Sequence, residues 1–305
     1  MTGIQAAFVL TTLLFMAPPA SPDVLTVGPG GDFPEIQDAV DVASDLDIVL
    51  VSTGSYGPVT IGDVAVTVVA DVGEAAHING GVTVQGLSAG RAVSLIGLDL
   101  TLEWEAGGSI DLERPTLELA FNAGPVRVDQ CTIASNQNAF TRVEPSASMA
   151  ACADVAFART DLLGGVDGSI APLPPGEGTP PTVTLSTSTV VFHGGSIVGS
   201  SGHTTSDGFF TLGGTGGVGL SLSNGSVFLS GTSITGGMGS PGGAQCEFVP
   251  GWDGGPGGPG IEILGPGAIV RQLDTDVTGG PGAEGNPVIF CFGTAAGPAG
   301  APVDH

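Results

Sequence analysis

Val126-Arg127-Val128-Asp129-Gln130-Cys131-Thr132-Ile133 decides the fold, because its pattern returns five more times along the chain. The other copies are Val93-x-Leu95-x-x-Leu98-x-Leu100, Val155-x-Phe157-x-x-Thr160-x-Leu162 and Val190-x-Phe192-x-x-Gly195-x-Ile197. Val227-x-Leu229-x-x-Thr232-x-Ile234 and Val270-x-Gln272-x-x-Thr275-x-Val277 complete the set. Each half alternates with period two, so each is a short strand with one buried face. The two residues between the halves shift the register and mark a corner. A third short strand stands ahead of most copies: Leu117-x-Leu119, Val183-x-Leu185, Leu220-x-Leu222 and Ile261-x-Ile263. Glycine follows the last anchor at Gly164, Gly199, Gly236 and Gly279, where a turn could require positive φ.

Three strands per repeat cannot bury their inner face alone, so each repeat must stack on the next. A β-sandwich also has short alternating strands, but it has no reason to repeat one strand-corner-strand template at similar offsets. The expected fold is all-β: a right-handed parallel β-helix, a solenoid with a short N-terminal capping helix. Residues 32–44 supply that helix. Asp32 and Glu35 have capping-box spacing, Pro34 falls in the first turn, and Ile36, Ala39, Val40 and Ala43 share one stripe.

The run Leu25-Thr26-Val27-Gly28-Pro29-Gly30-Gly31-Asp32-Phe33-Pro34-Glu35-Ile36-Gln37-Asp38-Ala39-Val40 resembles the N-terminal entry of pectate-lyase-like parallel β-helix proteins. Ile48-Val49-Leu50-Val51 and Thr53-Gly54-Ser55-Tyr56 continue the likeness, with Leu46 and Thr53 standing where that superfamily usually has Gly and Pro. The resemblance implies the fold and leaves the activity open, since the superfamily holds lyases, hydrolases, epimerases and adhesins. Its pectate-type lyases use acidic calcium ligands and an Arg or Lys base. Its polygalacturonase-type hydrolases carry paired aspartates, a His-Gly and an Arg-x-Lys. Here His193-Gly194 is present, while an Asp-Asp pair and any lysine are missing.

The six basic residues are all arginine, against 30 acids, for a net charge of −24. Such a chain repels nucleic acid and anionic membrane surfaces, which are bound through clustered Lys and Arg. Ala6 to Met16 is an apolar run of signal-peptide length, and Ala17-Pro18-Pro19-Ala20-Ser21 ends it with small residues. Residues 1–21 are therefore expected to be a signal peptide, and 22–305 one β-helix domain with Gly/Pro-rich loops toward its C-terminus. No other segment reaches membrane-spanning length without Gly, Pro or charge, so no span is expected in the mature chain.

Cys131, Cys152, Cys246 and Cys291 lack the close spacing of a zinc site and fit disulfides of an exported protein. Cys246 and Cys291 lie at near-equal offsets past the anchors Ile234 and Val277, which pairs them and leaves Cys131 with Cys152. The glycine-rich stretches 236–260 and 279–300 lack a nucleotide-binding context and read as long coil inserts without a collagen-like three-residue period. Loops on one side of a solenoid are its usual recognition surface.

Stacking the template puts Arg127 and Asp129 on one outward face, Asp161 one coil on, and His193 two coils on in Asp129's column. Arg, Asp and His converge nowhere else in the sequence, which makes these four the candidate catalytic residues. The outward column Asp99, Thr132, Asp161, Ser196, Ser233 and Asp276 reads as a surface polar ladder, since Asp99 and Asp161 stand two rungs apart. The column Cys131, Thr160, Thr232 and Thr275 reads as an internal corner ladder bonding backbone. Two functions remain: a secreted or cell-surface binding or structural module for extracellular polysaccharide or cell-surface components, without cofactor, or a lyase or glycoside hydrolase. A lyase would call for Ca²⁺.

Overall fold

A computed structural model of the chain describes residues 21–101, 115–135, 144–165, 179–202, 204–206, 210–241, 243–244, 254–283 and 303–304. The parallel β-helix expected from the repeat is what forms, in three sheets of nine, eight and eight strands. One coil places Val126–Asp129 in the first sheet, Thr132–Ala134 in the second and Ala147–Ala150 in the third. The next coil, Val155–Ala158, Asp161–Leu163 and Val183–Ser186, lies on it in parallel register.

Inward positions build columns. Val66, Val93, Val126, Val155, Val190, Val227 and Val270 form one, in which a β-branched side chain suits every rung of a pleated wall. The adjoining column carries Phe157 and Phe192, whose rings stack at 4.8 Å and 12°. Of the expected anchors, Val126, Val128, Ile133, Val155, Phe157, Leu162, Ile197 and Ile234 are buried. Val277 is only partly so, because it belongs to the last described coil, where Gln272 already stands exposed beneath Leu229. At the other end the valine column starts on Asp47. Its carboxylate is buried but accepts the N–H groups of Asp23 at 2.8 Å and Ser44 at 2.7 Å.

The corners explain the two-residue gap. Between the first and second sheets the first corner residue is left-handed in six coils: Gly97, Gln130, Arg159, Gly194, Gly231 and Asp274, with φ from 49° to 68°. Three of the six, Gln130, Arg159 and Asp274, carry a side chain in this region at a cost of about 1 kcal/mol or more, so the next residue matters. Thr160 Oγ1 donates to the Ala158 carbonyl at 3.0 Å, Thr275 Oγ1 to Leu273 at 3.2 Å, and Cys131 Sγ to Asp129 at 3.4 Å. This is the expected corner ladder. A second one joins the third sheet to the first, with Phe121, Ala151 and Thr187 left-handed and Asn122, Cys152 and Ser188 following them. Cys152 Sγ reaches the Leu119 carbonyl at 3.4 Å, and Ser188 Oγ donates to Ser186 at 2.9 Å.

The expected Cys131–Cys152 disulfide does not form. Both thiols are free and buried, one at each kind of corner, where other coils use Thr or Ser. Cys246 and Cys291 lie outside the described residues. Burial pushes the Cys131 thiol from its ordinary 9.0 to about 11. The unfolded chain therefore loses this proton first as pH rises. Stability present below pH 9 should fall through the window from 9 to 11, by up to about 3 kcal/mol from this group. Denaturant titrations across that range should show the fall shrinking in Cys131→Thr. An unchanged slope in that variant would contradict the assignment.

The cap is shorter than expected. The helix runs Ile36–Val42, not 32–44, and Glu35 at its N-cap makes no side-chain cap. Asp32 and Glu35 are used elsewhere: Asp32 accepts the Thr26 hydroxyl at 2.8 Å, and Glu35 accepts the Gly57 N–H at 3.1 Å. Phe33 bridges to Val27, so residues before 36 are held to the first strand instead of coiling. Ile36, Ala39 and Val40 are buried, as the stripe required.

The glycine-rich inserts are more than loops. Within their legs glycine recurs every third residue, at 213, 216 and 219, at 254, 257 and 260, and at 236 and 239. This corrects the expectation of no three-residue period: the glycines keep none over a whole stretch but do keep one within each leg. Three residues per turn is the repeat of a polyproline II helix, which has no internal hydrogen bonds and bonds sideways. Legs leaving the second sheet at 199–202, 236–240 and 279–283 lie against legs entering the third at 213–219 and 254–260. Gly217 N–H donates to Ser200 at 2.7 Å, Gly237 to Gly217 at 2.7 Å, Gly258 to Gly237 at 2.8 Å and Gly280 to Gly258 at 2.8 Å. A Cβ on Gly237 or Gly257 would fall 1.8 Å from a neighbouring carbonyl oxygen. The need at Gly164, Gly199 and Gly236 is likewise closeness and not positive φ: a Cβ there would meet backbone at 2.2, 2.2 and 2.0 Å. Residues between the glycines, Thr215, Met238 and Pro281, point to solvent.

Candidate functional site

The outer face of the first sheet carries three of the four candidate residues. Arg127 and Asp129 are on Val126–Asp129, and the register Asp129↔Ala158↔His193 puts His193 two rungs away in the expected column. Asp161 is on Asp161–Leu163 of the second sheet, around the corner. The four therefore do not share one face.

Nor do Arg127 and Asp129 pair with each other. Arg127 forks onto Asp154, Nη1 to Oδ1 at 3.0 Å and Nη2 to Oδ2 at 2.6 Å. Asp129 accepts from Arg159 Nε at 3.0 Å and also from its Nη2. Arg159 is held over the strand by its left-handed corner. Both groups face a partner from the next coil, so neither is presented to an open site. Asp161 accepts the Ser196 hydroxyl at 2.6 Å within the polar ladder, which runs through Asp99, Thr132, Asp161, Ser196, Ser233 and Asp276 in register. The structure extends this ladder to His77, whose Nδ1 lies 3.4 Å from Asp99 Oδ2. Among the described residues no three His, Cys, Asp or Glu side chains converge.

Two other surfaces emerge that the sequence reading did not single out. On the third sheet, Thr60, Thr83, Glu118, Ser148, Thr184, Ser221 and Glu262 follow one another in one column, one per rung, and all but the buried Ser221 are exposed or half-exposed. Gln85, Ala120, Ala150 and Ser186 run beside them. This face begins at the corner where every long insert joins the third sheet. On the first sheet, a depression of about 410 Å³ is lined by Thr189, Val191, Ser226, Phe228, Ile269 and Arg271, with the backbone of Val190 and Val227 between. Its signal was present in the template, whose second position reads Arg127, Ala156, Val191, Phe228 and Arg271 in register.

No family model and no curated protein sequence matches the chain. Among solved structures it is similar to the crystal structure of pectate lyase Pel9A, at 12% identity and a TM-score of 0.41, over 84% of this chain and 79% of that one. It is also similar to the pectin methylesterase from Aspergillus niger, at 13% identity and a TM-score of 0.34, over 84% of this chain and 86% of that one. Likenesses this distant assign no function to the chain.

Proposed function

We propose that the chain is a secreted or cell-surface binding module that holds an extended carbohydrate along the outer face of the third sheet, without cofactor and without cleaving it. The observation that carries this reading is the column from Thr83 through Ser148 and Thr184 to Glu262. Its hydrogen-bonding groups repeat at the rung spacing of about 4.8 Å, close to the length of one pyranose in an extended chain. A repeating polymer can then satisfy each rung in turn. The acidity of the chain disfavours nucleic acid and favours neutral glycans, or acidic ones bridged by a cation. Binding is favoured over catalysis because Arg127 and Asp129 are tied to Asp154 and Arg159.

Titrating the purified protein with a panel of neutral and acidic oligosaccharides, with and without calcium, tests both halves. Thr184→Arg should weaken binding about ten-fold or more by blocking the column, with the fold intact by circular dichroism. Arg127→Ala should leave binding unchanged and reveal no lost cleavage. Cleavage of any glycan that disappears in Arg127→Ala or Asp129→Ala would replace this reading with the lyase or hydrolase one.

A further inference from the structure

We propose that the depression on the first sheet is a second site, for a small amphipathic carboxylate: an alkyl or aryl body ending in a carboxylate. It lies on a different face from the proposed glycan surface and does not depend on it.

The charge pattern is the first reason. Arg91 is paired with Asp45 and Asp63, Arg127 with Asp154, and Arg159 with Asp129. Among the described arginines Arg271 alone has no ion pair or hydrogen bond from its side chain, in a chain of net charge −24. Acids are abundant, so an arginine left open beside a depression invites an anion from outside, and a guanidinium presents a fork shaped for a carboxylate.

The lining is the second. Phe228 is 38% exposed and Ile269 50%, and Leu273 beside them is 54% exposed, so apolar side chains gather around the depression. Phe228 stands one rung from Arg271, and Val191 one rung beyond. The apolar floor thus runs two rungs, about 10 Å, away from the cation. This length suits a chain of several methylenes or a phenyl ring on a short tether.

The hydroxyl count separates this ligand from a sugar acid. The depression offers two hydroxyls, Thr189 and Ser226, and these lie 3.4 Å apart and bond to each other. A sugar bound here would bury several hydroxyls against valine, isoleucine and phenylalanine without partners, which costs binding energy for each. An alkyl or phenyl body incurs no such cost.

Calorimetric titration of the full chain with octanoate and phenylbutyrate, against octanol, phenylbutanol and oligogalacturonate, tests the proposal. The carboxylates should bind about ten-fold more tightly than the matching alcohols. Arg271→Gln should abolish that preference, Arg271→Lys should keep part of it, and Phe228→Ala should weaken both carboxylates. Both positions are exposed, and circular dichroism verifies that the three variants fold. Equal binding of alcohols and carboxylates, no binding of the carboxylates, or tighter binding of oligogalacturonate that Arg271→Gln removes would each overturn it. None of these outcomes bears on Thr184→Arg and the third sheet, so the two sites succeed or fail separately.

Discussion

Gly257→Ala is expected to destabilise the protein by about 3 kcal/mol, although it adds a single methyl group. A Cβ on Gly257 would lie 1.8 Å from the Gly280 carbonyl oxygen and 2.3 Å from its carbon. Both are backbone atoms of an adjacent leg, so no rotamer change can make room. The leg must move, and with it the lateral bonds from Gly258 to Gly237 and from Gly280 to Gly258. Met238→Ala is the contrasting variant, because Met238 is 51% exposed between two buried glycines. It should change stability by no more than about 0.5 kcal/mol. Urea denaturation of both decides the matter. A Gly257→Ala protein as stable as the parent would show that the legs are not packed as described.

The second large effect lies in the core. Phe157 and Phe192 are each 1% exposed and stack across adjacent rungs at 4.8 Å. Truncating either to alanine should cost about 3–5 kcal/mol, since coils locked above and below cannot collapse into the space left. The double variant should cost less than the two singles together, by about 0.5–1.5 kcal/mol for the lost ring contact. A loss below about 1 kcal/mol for Phe157→Ala would mean that the wall relaxes freely, against the parallel register that fixes it.

The repeat was legible because one physical demand recurs in every coil. Valine at positions 93, 126, 155, 190, 227 and 270 has to fill the same slot of a pleated wall, and the sequence shows it directly. Two coils escaped the template. Val66–Ala70 and Ala76–Ile78 are joined by a longer connection, and Asp47–Val51 reaches Gly54–Tyr56 without the two-residue left-handed corner. The strand Ala147–Ala150 was missed because Ala147 and Met149 are weak strand formers that the register alone holds in line. Cys131 shared a column with Thr160 and Thr232, which was the clue that it substitutes for a hydroxyl and does not seek a bridge. The candidate site was less legible. The template gives columns along a face, but it says nothing of which neighbour a long arginine side chain reaches. Asp154 and Arg159 both lie outside the strand positions that the template names, and they are what neutralise Arg127 and Asp129.

Left-handed corners fix the joint between the first and second sheets at one length in six coils, and the largest differences between coils collect at the joint between the second and third sheets. At the N-terminal end that joint is short, from Tyr56 to Val59 and from Ile78 to Val82. Toward the other end it carries the glycine legs. The solenoid thereby acquires a polarity that a plain stack of equal rungs would lack: a bare wall at the capped end and a buttress at the other. A linear partner laid along the third sheet, as proposed, would meet different surroundings at its two ends, so its binding there would have a direction.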